Sequence, residues 1–287
     1  MNKLFLSLTI NFLATVAFGQ SALDQFLKDV NSTKLGRNSK AGQYADIRGF
    51  KMYYETYGSG QPLLIIHGNS GSISDFVYQV PFFSKKFKVI IADSRAHGKS
   101  IDKSDSLSFE MMTDDLNALL EHLKLDSCFV LGWSDGGVEA LLLAMRHPEK
   151  VKKLAVTGAN LWPDSTSVDN WLLKRGRKKW DSLSLLPNTD KLKDIKKKYR
   201  LLMFEPNIKP QDLKKISCPS LIISGDHEVI LSKHTNLIYE SIPNAYLWII
   251  PNSGHATPIN FKDDFNRTVL DFFVKPYRKI ERLDKFN

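Results

Sequence analysis

The stretch Cys128-Phe-Val-Leu-Gly-Trp-Ser-Asp-Gly-Gly-Val138 decides the architecture. Residues 128 to 131 are an unbroken apolar run of strand type, and Val138 to Arg146 (VEALLLAMR) has the composition of a buried helix. Only a very tight turn fits between them. Gly132 and Gly136 leave room for strand and helix to approach closely, so the turn holds Ser134 in strained φ/ψ with its hydroxyl clear at the C-terminal edge of a sheet, as a nucleophile elbow does. The helix beginning just beyond points free N–H groups and its positive dipole end at the same spot, which suits a developing oxyanion.

Outward from this stretch, apolar runs of strand length recur at Leu63–Ile66, Val89–Ala92, Leu154–Val156, Leu221–Ser224 and Tyr246–Ile250. Their continuity is that of strands covered on both faces. Helical spacing lies between them: over Ile73 to Phe87 with an interruption at Pro81, after a Ser108 cap with an apolar face of Met112, Leu116, Leu119, Leu120 and Leu123, around His234 to Ser241, and over Phe261 to Val274. Tyr44 to Tyr57 reads as a half-exposed hairpin turning at Arg48-Gly49, and Ser21 to Val30 as a short lead-in helix. Strands alternating with helices predict an α/β fold: a mainly parallel open sheet with helices on both faces. The rhythm breaks at Ala159. Residues 160–213 carry no strand-like run and read as two or three amphipathic helices, a lid inserted into a core made of 44–159 and 214–287, with 20–43 as a lead-in.

The 287 residues suffice for one large core with an insertion. Met1-Asn-Lys3, the apolar run Leu4 to Phe18 and the small residues Ala17 and Gly19 have the layout of a signal peptide spanning 1–19 and cut before Gln20. That run is short for a membrane span, so the expectation is an exported, periplasmic or secreted chain with no stable membrane anchor after cleavage. Cys128 and Cys218 each begin an apolar strand and are expected to be free, buried thiols. The formal charge of +9 is concentrated: residues 174–215 hold 14 Lys and Arg against 5 Asp and Glu. Such a segment attracts anionic substrates or an anionic surface, or is simply a solvated helix face. No nucleic-acid motif accompanies it. No metal-ligand cluster or phosphate loop is present either, so no cofactor or metal is expected.

A serine hydroxyl needs a positioned base, and the base needs a group that holds its tautomer. There are seven histidines. His255 follows the last strand in Pro251-Asn-Ser-Gly-His255, at the sheet edge where Ser134 stands and where ligands collect in open α/β sheets. His122, His147 and His234 fall on or just past helices and are expected at the surface, and His97 reads as a structural hydrogen-bonder beside Arg95. The segment Gly225-Asp226-His227-Glu228-Val229, after its strand, offers two carboxylates as the third member.

From Tyr44 onward the chain resembles the α/β-hydrolase fold family, on His67-Gly68, Asp93-Ser-Arg-Ala-His-Gly98 with Ser100, Gly132-Trp-Ser-Asp-Gly-Gly137, Gly225-Asp-His-Glu228 and Gly254-His255, with nucleophile, acid and histidine in that chain order. The resemblance implies Ser134 and His255 as nucleophile and base. By the family's register the acid is Glu228, where Asp is usual, with Asp226 two positions early as the alternative. It further implies the backbone N–H groups of Asn69 and Asp135 as oxyanion donors, and acyl chemistry rather than the epoxide or haloalkane chemistry of members with Asp at the elbow. The Gly-Trp-Ser-Asp-Gly-Gly form is similar to that of valacyclovir-hydrolase and biphenyl-hydrolase-like esterases, in which the carboxylate at the position of Asp135 is associated with a substrate α-amino group. Asp135 otherwise serves only the helix N-terminus. The substrate expected is a small ester or amide. Of the lid aromatics Trp162, Trp171 and Phe204, Trp162 lies closest to a strand end and is the one expected to contact the acyl pocket.

Overall fold

The computed structural model describes residues 20–279; the leader read at 1–19 and residues 280–287 lie outside them. In chain order, helix α1 (Gln20–Ser32) precedes the hairpin β1 (Gly42–Ile47) and β2 (Phe50–Tyr57). Then come β3 (Pro62–Ile66), α2 (Gln79–Phe83), β4 (Lys88–Ala92), α3 (Phe109–His122), β5 (Cys128–Trp133), α4 (Asp135–Arg146) and β6 (Val151–Thr157). The inserted helices α5 (Asn170–Ser184) and α6 (Asp190–Phe204) follow. Strand β7 (Ser220–Gly225), α7 (Ser232–Ser241), β8 (Ala245–Ile250), the short α8 (Thr257–Asn260) and α9 (Lys262–Val274) complete the described chain.

Among the described residues eight strands form one sheet in the order β1-β2-β4-β3-β5-β6-β7-β8. The pairs β1/β2 and β2/β4 are antiparallel and the remainder parallel. Alternation along each strand sorts side chains into two layers. Leu64 and Ile66 join Ile90, Val130, Val156 and the apolar faces of α3 and α4. Leu63 and Ile65 point the other way, into a layer with Ile91, Leu131, Ile223 and Phe265, Val269 and Phe273 of α9. Because both faces are covered, these strands carry no polar alternation, which is why they stand out as apolar runs.

Local signals act where expected. Ser108 caps α3 by accepting the Met111 N–H at 3.1 Å. Cys128 and Cys218 are free and buried. One helix differs from its spacing: Ile73–Phe76 is a 3₁₀ turn, the chain breaks at Val77-Tyr78, and Pro81 sits inside α2. In the first turn of a helix N–H groups have no intrahelical acceptor, so the proline removes no bond there.

His234, expected at the surface, is buried. It occupies the inner face of α7, its Nε2 accepts the Leu161 N–H at 2.9 Å, and burial pushes its pKa down to about 4. Trp162 packs edge-on against it, with ring centroids 4.6 Å apart.

Beneath the insertion lies a buried ionic network. Arg95 donates to both oxygens of Asp115, at 2.7 and 2.8 Å, and to Asp102 at 3.1 Å. Asp102 also meets the ammonium of Lys197 on α6 at 3.2 Å. Replacing Asp115 with Ala leaves the buried guanidinium short of its bidentate partner, a loss expected to destabilise the fold by about 3–5 kcal/mol. Urea denaturation of Asp115→Ala measures this; a loss below about 1 kcal/mol would mean that solvent compensates Arg95.

Candidate active site

Strand β5 and helix α4 meet backbone to backbone. A Cβ on Gly132 would sit 2.2 Å from the Gly136 carbonyl oxygen, and one on Gly136 would sit 2.2 Å from that of Ile66. Only glycines permit this contact. The turn so formed holds Ser134 at φ 58° and ψ −125°, in the left-handed half of backbone space that L residues avoid. Its N–H donates to the Thr157 carbonyl of β6 at 2.9 Å, and its own carbonyl accepts from Gly137 and Val138 at 2.8 and 3.2 Å. The N–H of Asp135, at the first position of α4, has no intrahelical acceptor.

His255 and Ser134 are brought together. Nε2 of the imidazole lies 2.9 Å from the Ser134 Oγ and Nδ1 lies 2.6 Å from Oε1 of Glu228. A carboxylate accepts, so Nδ1 carries the proton and Nε2 is left to receive the serine's. Glu228 is in turn fixed by the N–H of Val229 at 2.7 Å. Gly158 closes the site from β6: at φ +67° its missing side chain leaves the imidazole in place, since a Cβ would lie 2.8 Å from His255 Cε1. Burial disfavours the charged imidazole, but the charge and hydrogen bond of Glu228 outweigh it, and the His255 pKa is raised above its ordinary 6.5.

Asp226, the other carboxylate, braces the histidine loop. Its Oδ1 takes the Ser253 N–H at 3.1 Å and the His227 ring at 2.8 Å, and those bonds hold its pKa down to about 2.

On the far side of Ser134, Gly68 passes so close that a Cβ there would be 3.0 Å from the serine Cβ, which sets the Asn69 backbone beside the elbow. The Asn69 amide donates to Asp135 Oδ2 at 2.8 Å and to the Lys198 carbonyl of α6 at 3.2 Å, so one side chain ties loop, elbow and insertion together. Behind it His67 accepts the Ser94 N–H at 3.0 Å and donates to the Gly68 carbonyl at 2.8 Å, while His97 donates to Arg95 O at 2.8 Å. Both imidazoles are buried, and burial keeps their pKa values low. The Asp135 carboxyl is buried as well, which pushes it up to about 6 against the pull of the Asn69 hydrogen bond.

A cavity opens on Ser134, Asp135 and His255, walled by Val168, Leu172, Leu202, Met203, Val229 and Ile230. Trp162, expected in this pocket, is not in its lining; its ring is turned to His234 and its Nε1–H donates to Thr166 Oγ1 at 2.9 Å. Trp171 and Phe204 are exposed instead of lining it. Spacing marked the aromatics of the insertion, but the helix phase turns Leu172, one residue on from Trp171, inward. A second contact had no local signal: Trp133, inside the elbow, donates its Nε1–H to the His255 carbonyl at 2.9 Å across 122 positions of sequence. Among the described residues no group of three His, Cys, Asp or Glu is placed to hold a metal ion.

A family model described as alpha/beta hydrolase fold matches residues 61–174. The human serine hydrolase BPHL (Homo sapiens) is 28% identical over 247 residues, covering 79% of this chain and 84% of that protein. A putative carbamate hydrolase RutD of Caulobacter sp. is 25% identical over 255 residues, 77% of this chain and 95% of its own. The crystal structure of a hydrolase from Pseudomonas aeruginosa superposes with a TM-score of 0.71 at 17% identity, over 83% of this chain and all of that one, a likeness of fold.

The contact between Nδ1 and Glu228 is directly testable. In an NMR titration the His255 imidazole is expected to protonate with a midpoint above 6.5, to move to lower pH in Glu228→Gln, and to stay in place in Asp226→Asn. A shift in the second variant alone would reassign the carboxylate.

Proposed function

We propose that this chain is a hydrolase of the α/β-hydrolase fold that cleaves a small carboxylic ester, or a related acyl bond, through an acyl-enzyme on Ser134. The observation that carries this reading is the continuous relay from Ser134 Oγ through His255 to Glu228, at 2.9 and 2.6 Å, opening on an apolar pocket.

In this mechanism His255 Nε2 takes the hydroxyl proton as Ser134 Oγ bonds to the acyl carbon, and Glu228 stabilises the imidazolium. The carbonyl oxygen becomes an oxyanion held by the N–H groups of Asp135 and Asn69, each such donor being worth about 2.7–4 kcal/mol in the transition state. Collapse expels the alcohol, which receives the proton from Nε2. Water then repeats the sequence with the same base, releasing the acid and restoring the serine.

The pocket is narrow, about 40 Å³, and open on one side, and its apolar walls suit a small acyl group. Asp135 supports a second reading. Its carboxylate lines the same pocket within reach of a substrate ammonium, as an amidase or aminopeptidase acting on a free α-amino group requires. The relatives named as serine and carbamate hydrolases are compatible with either bond.

A serine-directed fluorophosphonate is expected to label the protein, and Ser134→Ala to abolish labelling and lower kcat by about 10⁶-fold. No labelling of the intact protein would point to a hydrolase-fold binding protein. A panel of acetyl, butyryl and octanoyl esters with amino-acid esters separates the two substrate readings. If Asp135 binds an ammonium, KM for amino-acid esters falls as pH rises through about 6, where the carboxyl ionises, and Asp135→Asn removes that dependence while KM for alkyl esters stays level. Equal pH profiles for both ester classes would sink the amine reading.

A further inference from the structure

Helix α5 has two faces of different chemistry. At about 100° per residue, Trp171, Lys174, Arg175, Lys178 and Ser182 fall in one arc of about 100°, and all are exposed. Leu172, Gly176 and Leu183 are buried on the opposite side, where Leu172 and Leu173 roof the pocket over Ser134. The outer face is apolar at its ends and cationic between them. Trp171 is 52% exposed at the first turn, with the Arg175 guanidinium 5.4 Å from its ring centroid. At the other end, in the turn before α6, the consecutive Leu185 and Leu186 are 86% and 45% exposed. Between them Lys174, Arg175 and Lys178 lie in solvent within that arc, Arg177 and Lys179 are exposed on its two flanks, and Asp181 is the acidic residue at its edge. Cations of α6 are engaged by partners instead: Lys197 is buried on Asp102, Lys193 pairs at the surface with Asp105 at 3.0 Å, Lys196 donates to the Leu186 carbonyl at 2.6 Å, and Lys198 donates to the Ala96 carbonyl at 3.0 Å.

We propose that the outer face of α5 and the 185–186 turn form a docking surface for an anionic phospholipid bilayer, on which the protein lies reversibly. Charge complementarity carries the commitment to that occupant. Clustered Lys and Arg on an amphipathic helix are drawn to acidic headgroups, and an aromatic and two leucines at the rim enter the boundary between headgroups and acyl chains. A nucleic acid would engage the cations and leave Leu185 and Leu186 in water. A bilayer uses both sets. Among the described residues no helix is long and apolar enough to cross a membrane. The docked helix is also the roof of the pocket, which would set the active-site side of the molecule against the lipid. This proposal does not depend on which acyl bond is cleaved.

Co-sedimentation of the purified chain with sucrose-loaded vesicles tests it. Vesicles containing phosphatidylglycerol are expected to carry the protein down at low salt and to release it at high salt, while pure phosphatidylcholine vesicles leave it in solution. Lys174→Gln with Lys178→Gln should weaken the vesicle affinity about thirtyfold, at about 1 kcal/mol per charge. Leu185→Ser with Leu186→Ser should weaken it by about tenfold with all charges intact, and thermal melts of both double variants should match the parent. Absence of sedimentation with the anionic vesicles at low salt overturns the proposal. So does parental affinity in the leucine variant, which would reduce the surface to a polycation and favour a nucleic acid or acidic protein as its partner.

Discussion

The backbone of Ser134 is the constraint on which the rest of the structure depends. A conformation of φ 58° and ψ −125° costs a non-glycine residue about 1–3 kcal/mol and persists only where its surroundings leave no alternative. Here the surroundings are three backbones in contact. Strand β5 touches α4 at Gly132 and Gly136, and α4 touches β3 at the Ile66 carbonyl. A methyl group at either glycine would push helix from sheet and free the serine to relax. The hydrogen bond from Ser134 N–H to Thr157 O adds a fourth element, β6, so four strands and helices fix the aim of one hydroxyl.

Parallel strands bring all their following loops to one edge, and the site is an inventory of those loops. Gly68 and Asn69 follow β3, Ser134 follows β5, Gly158 follows β6, Glu228 follows β7 and His255 follows β8. The charges there are paired by distance rather than by sequence. The Glu228–His255 contact of 2.6 Å sits over the sheet, while the Arg95–Asp115–Asp102–Lys197 network holds the base of the insertion. Helix α6 is therefore anchored through buried ions and through the Lys198 carbonyl on Asn69, which also bonds Asp135. Helix α5 is held by apolar contacts on one face and meets solvent with a basic one. Both inserted helices wall the pocket, α5 with Leu172 and Leu173 and α6 with Leu202 and Met203, but they differ in what holds them: buried ions anchor α6, and α5 packs through one apolar face.

The acid position illustrates how short-range and long-range information divide. Both carboxylates of Gly225-Asp-His-Glu228 were visible in the chain, and register favoured Glu228. What decides between them is that the turn after β7 spends the Asp226 oxygen on the Ser253 N–H and His227, which brings the histidine loop to where Glu228 reaches Nδ1. The longer glutamate side chain spans a gap set by the fold.

The sequence alone determined the α/β architecture, the elbow and the edge at which His255 falls, because a strand buried on both faces must be a continuous apolar run and a strand-to-helix turn without room for Cβ atoms must be glycine. It did not determine the break at Val77-Tyr78, since proline is neutral in a first helical turn, or the burial of His234, which depends on the Leu161 N–H from a loop 73 residues away. Nor did it place the pocket walls. Trp162, Trp171 and Phe204 carried the composition of a pocket, but which side of an inserted helix faces the serine is set by how that helix docks, and docking put Leu172, Leu202 and Met203 there instead. Periodicity fixes which residues share a face of a helix; only the packing of helix on sheet decides which face is turned inward.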